Sequence, residues 1–142
     1  MRLLGLDIGD RKIGMAVSDP LGVTAQGLGV LNRGRLSDDL EKLLLLANEY
    51  EVAGIVVGLP RGLDGNLGPQ ALKVTEFVAL LEEKGLKVYL WDERFTTSAA
   101  ERFLIQADVR RKKRRAVVDK LAAVMILQSY LDSMVRQGNG EP

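Results

Sequence analysis

Arg2-Leu3-Leu4-Gly5-Leu6-Asp7-Ile8, the polar turn Gly9 to Lys12, and Ile13-Gly14-Met15-Ala16-Val17-Ser18 together set the architecture of the chain. The first run is apolar apart from Arg2 and Asp7 and reads as a buried strand. The turn ends it, and Ile13 to Ser18 reads as its antiparallel return. Asp7 does not fit a plain core strand. A bare carboxylate in a sheet interior costs on the order of several kcal/mol unless it is paired or binds a cation. Either Asp7 faces a solvated strand end or caps the following turn, or it belongs to a site with company elsewhere in the chain.

Outward from this hairpin, Asp19-Pro20-Leu21-Gly22 makes a turn, and Val23 to Leu31 supplies a third strand that Gly27 and Gly29 weaken, as suits an edge. Ser37 reads as an N-cap with Asp38, Asp39 and Glu41 in the first turn, ahead of Leu40, Leu43, Leu44 and Ala47 at helical spacing. Ala53 to Leu59 is almost wholly apolar and reads as a parallel strand covered on both faces. Pro60 to Pro69, with Gly62, Asp64-Gly65, Asn66 and Gly68, reads as a loop long enough to touch a substrate. A second helix is expected from Gln70 to Lys84, with Leu72, Phe77, Leu80 and Leu81 inward and Gly85 just past its end. Leu86 to Trp91 reads as another strand, stopping at Asp92-Glu93-Arg94. Thr97 or Ser98 would cap a helix through Gln106. A last helix is expected from Ala116 to Val135, with Leu121, Ala122, Val124, Met125, Leu127, Tyr130 and Leu131 along it.

Antiparallel strands first and right-handed crossovers afterwards predict a mixed five-stranded α/β sheet with helices on both faces, the RNase H-like plan. With 142 residues, one domain over 1–137 and a frayed tail over 138–142 are expected.

Composition narrows the chemistry. There is no cysteine, which excludes disulfides, thiolate zinc sites and thiol nucleophiles, and no histidine, which excludes imidazole bases, Ser-His-Asp triads and imidazole metal ligands. Catalysis has to run on carboxylates, lysine, hydroxyls or a bound metal. The start lacks the apolar core of a signal peptide, and no run approaches about 20 apolar residues, so a soluble cytoplasmic protein is expected.

Three acids are candidates. Asp7 is the first. Asp92 and Glu93 end a strand where open sheets place their ligands, and since they alternate in facing, only one can share the Asp7 side. Asp119 precedes Ala122, Ala123 and Ile126, and alanines at that spacing let a helix approach a sheet closely, which brings the acid one turn earlier near the strand ends. Each also has a plain alternative: a partner in Arg94 or the next helix for the strand-end acids, and a favourable first-turn acid for Asp119. Together on one rim they would repel until one or two divalent cations, Mg2+ or Mn2+, neutralised them. Two such ions can activate water and stabilise a leaving oxygen with no histidine.

Arg110, Arg111, Lys112, Lys113, Arg114 and Arg115 form an unbroken basic run, read as lying before the last helix. Six adjacent cations repel one another, so a polyanion is the economical partner, although net charge is only +1. Aromatics make up 5% of the chain, so affinity is expected from phosphates rather than base stacking.

These pieces resemble the YqgF/RuvX family of pre-16S rRNA nucleases, also described as Holliday junction resolvase-like. Gly5-Leu6-Asp7-Ile8-Gly9 with Arg11-Lys12-Ile13-Gly14 and Ala16-Val17-Ser18-Asp19 is similar to its first motif. Val57-Gly58-Leu59-Pro60 with Asp64-Gly65 and Gly68 is similar to the second, and Asp92-Glu93-Arg94-Phe95-Thr96-Thr97 with Ala100 to the third. Asp119-Lys120-Leu121-Ala122-Ala123 and Leu127-Gln128-Ser129-Tyr130-Leu131 are similar to the last. The resemblance covers nearly the whole chain. It implies Asp7, Glu93 and Asp119 as metal-binding catalytic acids, with Arg94, Thr96 and the Pro60 to Gly68 loop, Arg61 included, near substrate. It further implies trimming of the 5′ end of pre-16S rRNA, with branched or single-stranded DNA as the alternative substrate and a monomer or homodimer as the acting form. One geometric demand follows: Glu93 lies one strand beyond the neighbour of the Asp7 strand, about 10 Å away, and has to reach across it.

Two other classes compete. An actin-type or sugar-kinase-type ATPase would use the Gly9 turn to cradle phosphate, against which stands a length sufficient for only one lobe. A non-catalytic nucleic-acid-binding module would use the basic run alone.

Overall fold

The computed structural model describes residues 1–61, 66–93 and 111–138, with side chains in the last stretch from Leu121 to Val135. The helix read over Thr97 to Gln106 lies outside the described residues. The opening hairpin forms as β1 (Leu3–Ile8) and β2 (Lys12–Ser18), followed by β3 (Ala25–Asn32), α1 (Leu36–Glu49), β4 (Gly54–Leu59), α2 (Pro69–Glu83), β5 (Val88–Asp92) and α3 (Arg111–Gly138). The sheet has five strands in the order β3-β2-β1-β4-β5. β1 runs antiparallel to β2 and parallel to β4, and β4 is parallel to β5. The three parallel strands therefore end on one edge.

Alternation along the strands sorts their side chains into two cores. Leu4, Leu6, Ile8, Ile13, Met15, Ile55, Val57 and Leu59 pack with Leu40 and Leu43 of α1 and with Val74, Phe77, Val78 and Leu81 of α2. On the other face Leu3, Ala16 and Val56 pack with Ala123, Ile126, Leu127 and Leu131 of α3. α3 is pinned there by polar contacts as well. Gln128 accepts from the Ala25 N–H at 2.9 Å and donates to the Val23 carbonyl at 3.0 Å, and the Trp91 indole donates to Ser129 Oγ at 3.1 Å. The Trp91 and Tyr130 rings meet edge-on, and burial beside Tyr89 pushes the Tyr130 hydroxyl pKa up.

Several boundaries differ from the sequence reading, each for a physical reason. Ser37 is not the cap of α1. The helix begins at Leu36 with no side-chain cap on its first turn, and the buried Asp39 reaches back to accept from the Gly34 N–H at 3.0 Å and to pair with Arg33 Nε at 3.3 Å. Arg33 also donates to the Gly9 carbonyl at 2.9 Å and lies over the Phe77 ring, so one guanidinium braces the β1–β2 turn, α1 and α2 together. Leu72, expected inward, is 55% exposed, and Ala71, Val74 and Val78 hold the inner face of α2 instead. Gly85 adopts φ +88° just past the Lys84 cap of α2, where its N–H bonds Glu82 O and the Leu86 N–H bonds Leu81 O, closing the expected left-handed stop. β3 starts at Ala25 rather than Val23, because Asp19 accepts from the Val23 and Thr24 amides and draws both into the turn. The last helix starts at Arg111 rather than Ala116. Arginine and lysine are good helix formers, and that propensity outweighs their mutual repulsion, so residues 111–115 are helix and not loop.

Candidate active site

Asp7 lies next to last in β1, half-buried. Leu4, Leu6 and Ile8 face α1 and α2, so Gly5 and Asp7 face α3. Its neighbours across the sheet are small. Gly14 stands opposite Asp7 in the β1–β2 register. In the β1–β4 register Leu6 pairs with Val57, and one further step brings Asp7 beside Gly58. A glycine on each side leaves the space around the carboxylate unfilled by side chains of adjoining strands.

Gly58 also answers how Glu93 reaches across. Gly58 pairs with Trp91 on β5, and Glu93 follows Trp91 by two residues, on the same face. A Cβ built on Gly58 would stand 2.8 Å from Glu93 Cγ, 3.0 Å from its Cδ and 2.5 Å from Ile126 Cδ1. The Glu93 side chain thus lies over β4 through the gap that the missing Cβ leaves, on the face and at the edge that Asp7 occupies. Asp92 points elsewhere: its carboxylate is 3.9 Å from Arg61 Nε. Of the two acids at the end of β5, Glu93 is the one that lies on the Asp7 face.

α3 crosses the same face at close range. A Cβ on Gly5 would be 2.7 Å from Leu127 Cβ and 3.2 Å from the Ala123 carbonyl oxygen. Gln128 bonds Ala25, whose strand partner Ser18 accepts from the Leu3 N–H at the start of β1, while Ala123 meets Gly5 farther along, so α3 runs antiparallel to β1. Asp119 comes one turn before Ala123, about 6 Å along the helix. Asp7 comes two residues after Gly5, about 6.6 Å along the strand. The two backbone positions therefore advance in step toward the same edge. Among the described side chains, which in α3 begin at Leu121, no group of three acids is close enough to share an ion.

Of the other expected site residues, Arg94, Thr96 and Arg110 lie outside the described residues. Arg111, Lys112, Lys113, Arg114 and Arg115 occupy the first turns of α3, at the end of the helix that leads away from Ala123 past Asp119. Arg61 sits directly after the β4 edge, engaged with Asp92. The sequence reading missed Gly14 and Gly58. Their signal was there, as single glycines interrupting Ile13 to Val17 and Val56 to Leu59, where a glycine inside a strand marks a close approach.

Among the described residues no helix is long and apolar enough to cross a membrane.

Comparison with known proteins fits this geometry. Residues 1–133 match the family described as "RuvX: Holliday junction resolvase". A "Putative pre-16S rRNA nuclease" of Clostridium tetani is 52% identical over 135 residues, covering 94% of this chain and 98% of the relative. A protein of the same name from Desulforamulus reducens is 52% identical over 134 residues, with the same shares covered. Among solved structures, RuvC of T. thermophilus in complex with Holliday junction substrate superposes with a TM-score of 0.61 at 16% identity, over 95% of this chain and 96% of that one. The fowlpox virus Holliday junction resolvase gives 0.58 at 14% identity, over 94% and 99%. Those structural likenesses bear on the fold, which is RNase H-like as the strand order predicts. By sequence over nearly its whole length, the chain belongs to the RuvX family.

Proposed function

We propose that the protein is a divalent-metal-dependent nuclease that hydrolyses phosphodiester bonds and removes the 5′ extension of pre-16S rRNA in the cytoplasm. The observation that carries this reading is the passage of Glu93 over Gly58 to the face and edge of Asp7. Two carboxylates from strands that are not neighbours are given a common opening, at the strand ends where ligands of open sheets bind. The names of relatives more than half identical supply the substrate. Asp119, advancing along α3 in step with Asp7, completes the set.

The donors suit a hard cation. Carboxylate oxygens are the ligands that Mg2+ and Mn2+ prefer, and the chain has neither cysteine nor histidine to favour a softer metal. Asp7, Glu93 and Asp119 would hold one or two such ions, which when bound supply charge stabilisation at phosphorus and a more acidic water. The chain's own part is placement. Gly14 and Gly58 keep the carboxylates clear of intervening side chains, Ala122 and Ala123 let α3 close on the sheet, and the cations at the start of α3 attract the polyanion. The net reaction adds water oxygen to phosphorus, breaks one bridging P–O bond and leaves a proton on the departing oxygen.

A second substrate is favoured by the family's description, a four-way DNA junction. A panel of 5′-extended 16S precursor, single-stranded RNA, single-stranded DNA and a four-way junction, incubated with Mn2+, separates the two. Preferential cutting of the precursor, abolished by chelation and reduced about 10³-fold by Asp7→Asn, is expected; that factor corresponds to about 4 kcal/mol of lost charge stabilisation. Binding by Asp7→Asn should be largely kept. Preference for the junction would transfer the assignment to DNA resolution, and a dimer in solution would accompany it. Cutting that survives both chelation and Asp7→Asn would overturn the carboxylate centre itself.

A further inference from the structure

Lys12 opens β2 and pairs with Asn32 at the end of β3. Ile13 and Met15 face α1 and α2 while Ala16 faces α3. Alternation therefore puts Gly14 and Lys12 on the α3 face, and Asn32, directly paired with Lys12, joins them there. Gly14 is the residue opposite Asp7. Lys12 thus precedes the cross-strand neighbour of Asp7 by two residues, on the same face and toward the same edge. The displacement is about 6.6 Å along the strand and about 4.8 Å across it, or roughly 8 Å between Cα atoms.

Two of the cations around this turn are engaged elsewhere. Arg33 is bound to Gly9 and Asp39, and Lys73 pairs with Asp10 at 3.3 Å. Lys12 and Asn32 are both exposed, and among the described residues no ion pair or hydrogen bond engages the Lys12 ammonium or the Asn32 side-chain amide. An ammonium with three donors and an amide with two, side by side on a solvated rim, are suited to phosphate oxygens. The carboxylates occupy the place of the phosphate being cut, so the next phosphate along the strand is the one within reach.

We infer that Lys12 and Asn32 form a subsite for a backbone phosphate neighbouring the scissile one, so that the substrate strand leaves the centre across β2 toward β3. The inference rests on the nuclease reading for the location of the cut, and it gives the hairpin a binding role that the basic start of α3 does not fill.

The test uses single-stranded oligonucleotides that carry one uncharged methylphosphonate linkage, moved stepwise through the positions flanking the cut. They are assayed with wild type, Lys12→Gln, Lys12→Arg and Lys42→Gln, the last a change at an exposed lysine of α1 on the opposite side of the sheet. For wild type, KM should rise several-fold, with kcat largely kept, when the neutral linkage stands at one position adjacent to the cut. Lys12→Gln should show that raised KM on the unmodified strand and be indifferent to the neutral linkage there. Lys12→Arg should restore the sensitivity, and Lys42→Gln should match wild type. In parallel, binding without divalent ions should lose about 0.7 from its salt slope in Lys12→Gln. The inference is overturned if Lys12→Gln keeps wild-type sensitivity at every position, or if its salt slope equals that of Lys42→Gln. Should wild type cut nothing, the nuclease reading fails separately, and the binding slope alone still decides whether Lys12 meets a phosphate.

Discussion

The two faces of the sheet are built from opposite materials. Toward α1 and α2, β1, β2 and β4 present leucine, isoleucine, valine and methionine, fully or nearly fully buried. Toward α3, β1 offers Gly5 and Asp7, β2 offers Gly14, Ala16 and Lys12, and β4 offers Val56 and Gly58. Bulk on one side supplies apolar burial, worth about 1.5–3 kcal/mol for each large side chain taken from water. Removal of bulk on the other side lets a helix descend and lets carboxylates cross strands that would ordinarily separate them. With the centre proposed at Asp7 and Glu93, stability and chemistry are divided between faces of one sheet, and changes on each should be told apart by what they damage.

The largest effect is expected on the filled face. Leu43, fully buried from α1, should cost about 2–5 kcal/mol of stability as Leu43→Ala, through lost transfer energy and the cavity left behind. Denaturant melts would show it, while the turnover of the folded fraction should remain at the wild-type level. A fall in turnover matching the stability loss would break the division of labour.

Gly58→Ala sharpens the contrast from the other side. Its Cβ would meet Ile126 Cδ1 at 2.5 Å and Glu93 Cγ at 2.8 Å, so either α3 lifts or Glu93 swings away. Overpacking of this kind costs about 1–3 kcal/mol of stability, yet a displacement near 1 Å at a reacting centre can cost about 10²-fold in rate. Cleavage should therefore drop by about two orders of magnitude in a protein that remains folded by circular dichroism. Normal cleavage by Gly58→Ala would mean that Glu93 does not work from over β4.

How much of this was legible in the residues follows the same division. The filled face was read well, because apolar runs such as Ile55 to Val57 state their burial directly. Asp7 stood out for the converse reason, as a charge where the pattern forbids one. Gly14 and Gly58 were harder, since a glycine declares only that something is absent, and what fills the gap at Gly58 comes from Glu93 and from Ile126 of α3, distant in sequence. The start of α3 was hidden because a run of like charges over 111–115 masks the helix propensity of arginine and lysine. Ser37 has the residue type of a cap, but Asp39 satisfies the Gly34 amide from inside the helix, where Arg33 also pairs with it. Lys12 carried no distinguishing local signal; only its register against Asn32 and its position beside the Asp7 row give it meaning.

The smallest expected effect separates two uses of a carboxylate. Asp19 lies at the far edge of the sheet from the strand ends, in the turn between β2 and β3, and accepts from the Val23 amide at 2.6 Å and the Thr24 amide at 2.9 Å. The bonds from Thr24 and then Val23 hold its pKa below the ordinary 3.8. Because the folded value is the lower one, the stabilisation is fully present above about pH 3.8 and fades as pH falls through the folded pKa. Asp19→Ala should lower Tm slightly at neutral pH, with the gap to wild type closing on acidification below that value, and it should leave cleavage intact. The check is informative because Gln128 of α3 grips this same turn at Val23 and Ala25. If Asp19→Ala reduces cleavage while the melt hardly moves, loosening at this edge travels along α3 to Asp119, and the two ends of the helix act as one device rather than as an anchor and a site.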